Sequence, residues 1–186
     1  MKNIALFVAV VLLVTLAVSA QKTDDAISKQ IRSLKAEKYI TLTYDAGSNA
    51  SKIFVRADNF AGSEAKKAGI EAMNFGMALI YVGQSLAATP DTFDMSFWIL
   101  TKKPRFASAN AWTLTVGGET LDLGEARYAA KPREDMEYLN FHLSREDLAK
   151  IAAGSDVKFK LGEAQFTFTS AHLTLFKDLL AITGNN

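Results

Sequence analysis

Trp112-Thr113-Leu114-Thr115-Val116-Gly117-Gly118-Glu119-Thr120-Leu121-Asp122-Leu123 carries the clearest structural signal in the chain. Trp112, Leu114 and Val116 alternate with Thr113 and Thr115. A period of two puts alternate side chains on one face of a strand. Gly117-Gly118 follows, and a two-residue type I′ turn needs positive φ at both central positions. Glu119 to Leu123 then reads as the returning strand of an antiparallel hairpin.

Downstream, Lys131 to Asp135 reads as a polar loop. Leu139, Phe141 and Leu143 alternate with Tyr138, Asn140 and His142, so the first set faces a core and the second faces away. Ser144 followed three residues later by Asp147 has the form of a helix N-cap. Leu148 and Ile151 supply that helix's apolar side, and Gly154 ends it. Val157, Phe159 and Leu161 form a further strand, Gly162-Glu163 a tight turn, and Phe166 and Phe168 the return. Ser170 is expected to cap a last helix with Leu173, Phe176, Leu179 and Leu180 as its buried stripe.

Upstream, Thr92 to Leu100 is the most hydrophobic segment after the N-terminal region. Phe93, Met95, Phe97 and Ile99 fall on one face, Trp98 and Leu100 on the other. Apolar residues on both faces predict a strand covered on both sides near the centre of a sheet. Phe75 to Val82 reads as a strand, and residues 57–72 as a short helix or an exposed loop. Tyr39–Tyr44 and Ser51–Arg56 flank the turn cluster Asp45 to Asn49 and predict a hairpin. Ile27, Ile31 and Leu34 recur at helical spacing within a helix expected over Asp24–Lys38.

Strands dominate, with helices near the start and end and no βαβ series. The fold class is therefore α+β, a mostly antiparallel sheet or sandwich with peripheral helices. Trp112-x-Leu114, Gly117-Gly118-Glu119, Leu121-x-Leu123-Gly124, Phe141-x-Leu143-Ser144, Val157-x-Phe159-x-Leu161-Gly162 and Phe166-x-Phe168 resemble a hairpin–helix–hairpin pattern in uncharacterised exported bacterial proteins. The likeness covers residues 112–169. It implies an exported location and a fold, and brings no activity with it.

Residues 1–20 read as a cleavable signal peptide. Lys2 is the positive n-region, Ile4 to Val18 is apolar apart from Thr15, and Val18-Ser19-Ala20 offers the small residues that signal peptidase accepts. Cleavage after Ala20 leaves one domain over residues 21–186. Ile4 to Val18 is shorter than the roughly 20 apolar residues of a spanning helix, and no second long apolar run follows. Loss of Lys2 leaves 20 basic against 20 acidic side chains, so the expected mature chain is neutral. Neutrality argues against nucleic acid as partner. The absence of cysteine removes thiol chemistry, disulfides and Cys-based metal sites.

Few residues suggest chemistry. Ser63-Glu64-Ala65-Lys66 matches the S-x-x-K of serine acyl-enzymes, where the lysine one turn away helps take the serine's proton. A polar surface helix explains the same residues. Gly83-Gln84-Ser85-Leu86-Ala87 begins like a nucleophile elbow but lacks the final glycine. His142 and His172 are the only histidines. His142 lies in the Tyr138-x-Asn140-x-His142 row, which is either a polar cleft wall or a solvent face, and His172 is expected to pack or cap. Neither histidine has zinc-site spacing, and Arg133-Glu134-Asp135 and Arg145-Glu146-Asp147 lack the alternating oxygens of a calcium loop. Trp98, Trp112, Phe93, Phe97 and Tyr81 line either a core or an apolar pocket.

Catalytic candidates are thus Ser63, Lys66 and His142. Ligand-binding candidates are Tyr138, Asn140 and His142. No metal or cofactor is expected. The leading expectation is a periplasmic or secreted accessory protein that binds a protein partner. The alternatives are a carrier of a small apolar ligand such as a lipid, and a small hydrolase.

Overall fold

The computed structural model describes residues 27–34, 37–57, 60, 63–108, 111–131 and 135–184. The signal-peptide reading at 1–20 and the start of the first helix at Asp24 lie outside the described residues. Residues 27–33 are helical (α1), and a 3-10 turn at Glu37–Tyr39 leads into the first strand. The order is then β1 (Ile40–Asp45), β2 (Ala50–Ala57), α2 (Ser63–Lys67), β3 (Ile70–Val82), β4 (Thr92–Thr101), β5 (Ala111–Val116) and β6 (Glu119–Glu125). After these come β7 (Arg127–Lys131), β8 (Met136–Ser144), α3 (Arg145–Ala153), β9 (Val157–Leu161), β10 (Ala164–Phe168) and α4 (Ser170–Gly184). The protein is strand-dominated α+β.

Two antiparallel sheets result, a six-stranded one in the order β1-β2-β3-β4-β8-β7 and a four-stranded one in the order β10-β9-β5-β6. Their inner faces meet through aromatic rings. Phe97 touches Trp112 and Phe159 at centroid distances of 5.7 and 5.4 Å, and Trp112 touches Phe141 at 4.4 Å. Such offset and edge-on pairs contribute beyond the area they bury. The helix α4 extends this core, with Phe176 against Phe75 and Phe168 at 5.6 and 5.2 Å. Gln30 of α1 donates to the Ala181 carbonyl of α4 at 3.1 Å.

All three expected hairpins are present, β1–β2, β5–β6 and β9–β10. Gly117 and Gly118 have φ of +58° and +94°, so both centres of the β5–β6 turn sit where L-residues are strained. Ser144 caps α3 as expected, its Oγ accepting from the Asp147 N–H at 3.0 Å. Gly154 ends α3 for another reason than a left-handed φ. Its φ is −67°, and an added Cβ would lie 2.6 Å from Val157 and 2.8 Å from Val116. Arg145 crosses from α3 to close α4, donating to Leu180 O at 3.0 Å and Thr183 Oγ1 at 3.1 Å.

Three expectations need correction, and one strand was not expected. The cap of α4 is Thr169 rather than Ser170: Thr169 Oγ1 accepts the His172 N–H at 3.3 Å, and His172 Nδ1 accepts the Thr169 N–H at 3.2 Å. This is a capping box with histidine in the place of Glu or Gln. The strand read as Phe75 to Val82 begins at Ile70, its entry broken by a register shift between Ile70 and Ala72. The strand β7 had no distinct apolar alternation and forms by pairing with β8. Finally, β4 is central as expected, but only one of its faces is fully covered. Phe93, Met95, Phe97 and Ile99 are buried, whereas Asp94, Ser96, Trp98 and Leu100 are half-buried on a face with no layer of described residues over it.

Candidate functional site

The outer face of the six-stranded sheet collects the residues that alternate with the core. Register fixes which of them are neighbours. Asn74, Trp98, Tyr138 and Ala129 form one row across β3, β4, β8 and β7. Arg56, Gly76, Ser96, Asn140 and Arg127 form the next, from β2 to β7. Phe54, Ala78, Asp94 and His142 form a third. With strands about 4.8 Å apart, a row of five spans about 19 Å. The ligand candidates Tyr138, Asn140 and His142 therefore stand in three adjacent rows of one face.

Gly76 shapes the middle of this face. A Cβ there would lie 2.6 Å from Trp98 Cη2 and 2.8 Å from Phe54 Cε2. The two rings close over the glycine, with centroids 5.9 Å apart and planes tilted by 59°. Lys52 Nζ lies 4.7 Å from the centre of the Phe54 ring, a cation–π contact at the rim. Beyond Ala78, Ile80 and Val82 project from the same face of β3 and are 60% and 81% exposed. A half-covered aromatic pair thus continues into two uncovered aliphatic side chains.

The polar groups of the face bond mainly to one another. Ser96 Oγ donates to Asn140 Oδ1 at 2.6 Å, and Asn140 Nδ2 donates to Arg127 O at 3.4 Å. His142 Nδ1 and Asp94 Oδ1 are 2.6 Å apart, with side chains 67% and 49% exposed. A histidine oriented by a carboxylate is two-thirds of an acyl-transfer triad. Among the described residues, however, no hydroxyl bonds to His142, and the pair lies on an open face that does not exclude water.

Ser63 and Lys66 lie elsewhere. They belong to α2, which packs against β3 and β10, and the Lys66 side chain is exposed. The Ser63 side chain is outside the described residues. The structure does not bring Lys66 and His142 together. Among the described residues no three His, Asp or Glu side chains converge as metal ligands.

The five residues that were either core or pocket wall are divided by the fold. Phe93, Phe97 and Trp112 are fully buried, Tyr81 is half-buried, and Trp98 is on the opposite face of β4. The space between the sheets is filled by rings. Phe60, from the stretch least readable in sequence, sits within 5.5 Å of Phe75, Phe159, Phe168 and His172. His172 is packed and capping at once, and burial lowers its pKa from 6.5 to about 4.

Sequence reading passed over Glu137. It is 1% exposed and lies on the inner side of β8, opposite Ile99. Its Oε1 accepts the backbone N–H groups of Arg105 and Phe106, each at 2.9 Å, and the Tyr128 hydroxyl at 3.1 Å. Its Oε2 accepts from Thr101 Oγ1 at 2.8 Å. Burial, and then the neighbouring Glu137 carboxylate, raise the Tyr128 pKa. The signal was present: Glu137 shares parity with Leu139 and Phe141, so a carboxylate was due to face inward there.

No family model matches the chain, and no curated protein matches it. A crystal structure of a protein of unknown function from Burkholderia pseudomallei K96243 is similar at 9% identity and a TM-score of 0.31, over 86% of this chain and 93% of that one.

Proposed function

We propose that this protein is an exported accessory protein, periplasmic or secreted, that acts by binding a protein partner on the outer face of its six-stranded sheet. One observation carries the reading. Ile80 and Val82 stand 60% and 81% exposed beside the Phe54–Trp98 pair. Contiguous apolar surface rimmed by polar groups is characteristic of a contact face. Burial of large aromatic and aliphatic anchors supplies most of the affinity in protein interfaces. Lys52 and Arg127 on the rim add positive charge, offset in part by Asp94.

The carrier reading fares worse, because rings occupy the space between the sheets where an apolar ligand would lie. The hydrolase reading keeps the His142–Asp94 pair and lacks a nucleophile on it.

The test is photocrosslinking in a living bacterium that expresses the full chain. A photoreactive residue at Val82 is expected to trap one protein of defined mass, and one at Gln165 on β10 is not. Ile80→Asp should abolish the product. Equal labelling from both positions, or labelling indifferent to Ile80→Asp, ends the partner reading. Intact mass of the same protein tests export, since a chain retaining residues 1–20 contradicts it.

A further inference from the structure

A second site lies on another side of the molecule, where α2, the segment after β4 and the β9–β10 turn surround a cleft of about 400 Å³. Glu64, Lys67, Arg105 and Glu163 line it around Phe106 and Leu161. That volume falls in the range of about 300–1,000 Å³ that small-molecule sites occupy.

The backbone at Arg105 is fixed, and its exposed side chain lies along a glycine. Its backbone N–H and that of Phe106 are fixed by the buried Glu137 carboxylate at 2.9 Å each. Its guanidinium rests on Gly69, where φ is +67° and where any Cβ would overlap Nη2. Yet the guanidinium makes no hydrogen bond or ion pair among the described residues. Lys67 is already neutralised by Glu64 at 2.8 Å. Glu163, on the turn that opens with Gly162 at φ +57°, has no such partner among the described residues. Among the described residues the cleft therefore presents a cation and a carboxylate that are not paired, beside an apolar floor.

We propose that this cleft binds a small zwitterion, such as a free α-amino acid with an apolar side chain, its carboxylate on Arg105 and its ammonium on Glu163. The planar guanidinium matches a carboxylate in two parallel hydrogen bonds. A ligand with only negative charge meets repulsion from Glu163, and one with only positive charge meets it from Arg105. The site is separate from the outer sheet face and does not depend on the partner reading.

The test is a nitrogen-15 NMR titration of protein recovered from expression of the full chain, with L-leucine, N-acetyl-L-leucine and L-leucinamide as probes. L-leucine at millimolar concentration is expected to shift the amides of Gly69, Phe106 and Gly162 and to leave those of Ser96 and Asn140 in place. Arg105→Gln should weaken L-leucine about tenfold or more, the usual effect of losing a charge-assisted bond. Glu163→Gln should weaken L-leucine and not N-acetyl-L-leucine. No shift with L-leucine overturns the proposal, as does equal affinity for the three probes. Should Arg105→Gln fail to fold, Glu163→Gln on its exposed turn decides the matter alone.

Discussion

On one side of β4, Phe93, Met95, Phe97 and Ile99 are sealed between two sheets. On the other, Asp94, Ser96, Trp98 and Leu100 are half-buried and bond sideways to β3 and β8. Residue type separates Asp94 and Ser96 from the inner set, but not Trp98 and Leu100. What separates them is the layer above. The inner side has a second sheet whose rings interlock with it, and among the described residues the outer side has only neighbours in its own plane. Burial there comes from Phe54 and Trp98 leaning over Gly76, which has no side chain to hold them up.

This contrast makes graded predictions. Phe97→Ala should cost about 3–5 kcal/mol in chemical denaturation, because rings on several sides cannot close the hole. Trp98→Ala removes a larger side chain and should cost less, about 1–2 kcal/mol, because part of its surface is already in water. Equal losses would erase the distinction between the faces.

Glu137→Gln should cost about 2–3 kcal/mol, since a neutral amide replaces a buried carboxylate that accepts from two backbone N–H groups and two hydroxyls. Its urea midpoint, measured beside that of the exposed control Glu163→Gln, checks this.

Acid should act on the inner side first. The folded-state pKa of His172 is lowered to about 4, so the unfolded chain binds this proton more readily. The stability held by the neutral ring is complete above about pH 6.5 and is lost as pH falls toward 4, by about 2 kcal/mol after allowance for partial access of water. His172→Gln keeps an acceptor for the Thr169 N–H and should flatten that part of the pH profile. A slope unchanged by the substitution would locate the acid sensitivity elsewhere. The smallest effect belongs to the outer face. His142→Ala removes an exposed contact with Asp94 and should change stability by less than about 0.5 kcal/mol.

The features legible in the sequence were those decided within a few residues. The Gly117-Gly118 turn, the Ser144 cap and the alternation of β8 and β9 are local geometry, and local geometry leaves a local pattern. Phe60 left none. It is a single aromatic in a polar stretch, and its neighbours Phe159 and His172 come from the far end of the chain. Thr169 and Ser170 are both good caps, and only the hydrogen bonds distinguish them. The site was half legible for the same reason. Tyr138, Asn140 and His142 share one strand and could be read as a row. Gly76, Asp94 and Phe54 join them only through strand register, which the sequence does not print. Arg105 was further out of reach, because what positions it is a carboxylate that comes 32 residues later.

The fold also equips the protein with two independent optical probes. It has two tryptophans, and they report on different environments. Trp112 is 0% exposed among the rings between the sheets, and Trp98 lies half-buried on the outer face against Phe54. Red-shifted emission and quenching by acrylamide therefore belong mainly to Trp98 as long as the chain is folded. A partner docked on the outer face, as proposed, would shield one indole from the quencher without touching the other, whereas melting exposes both. Occupancy and unfolding can thus be followed in one cuvette with no label added.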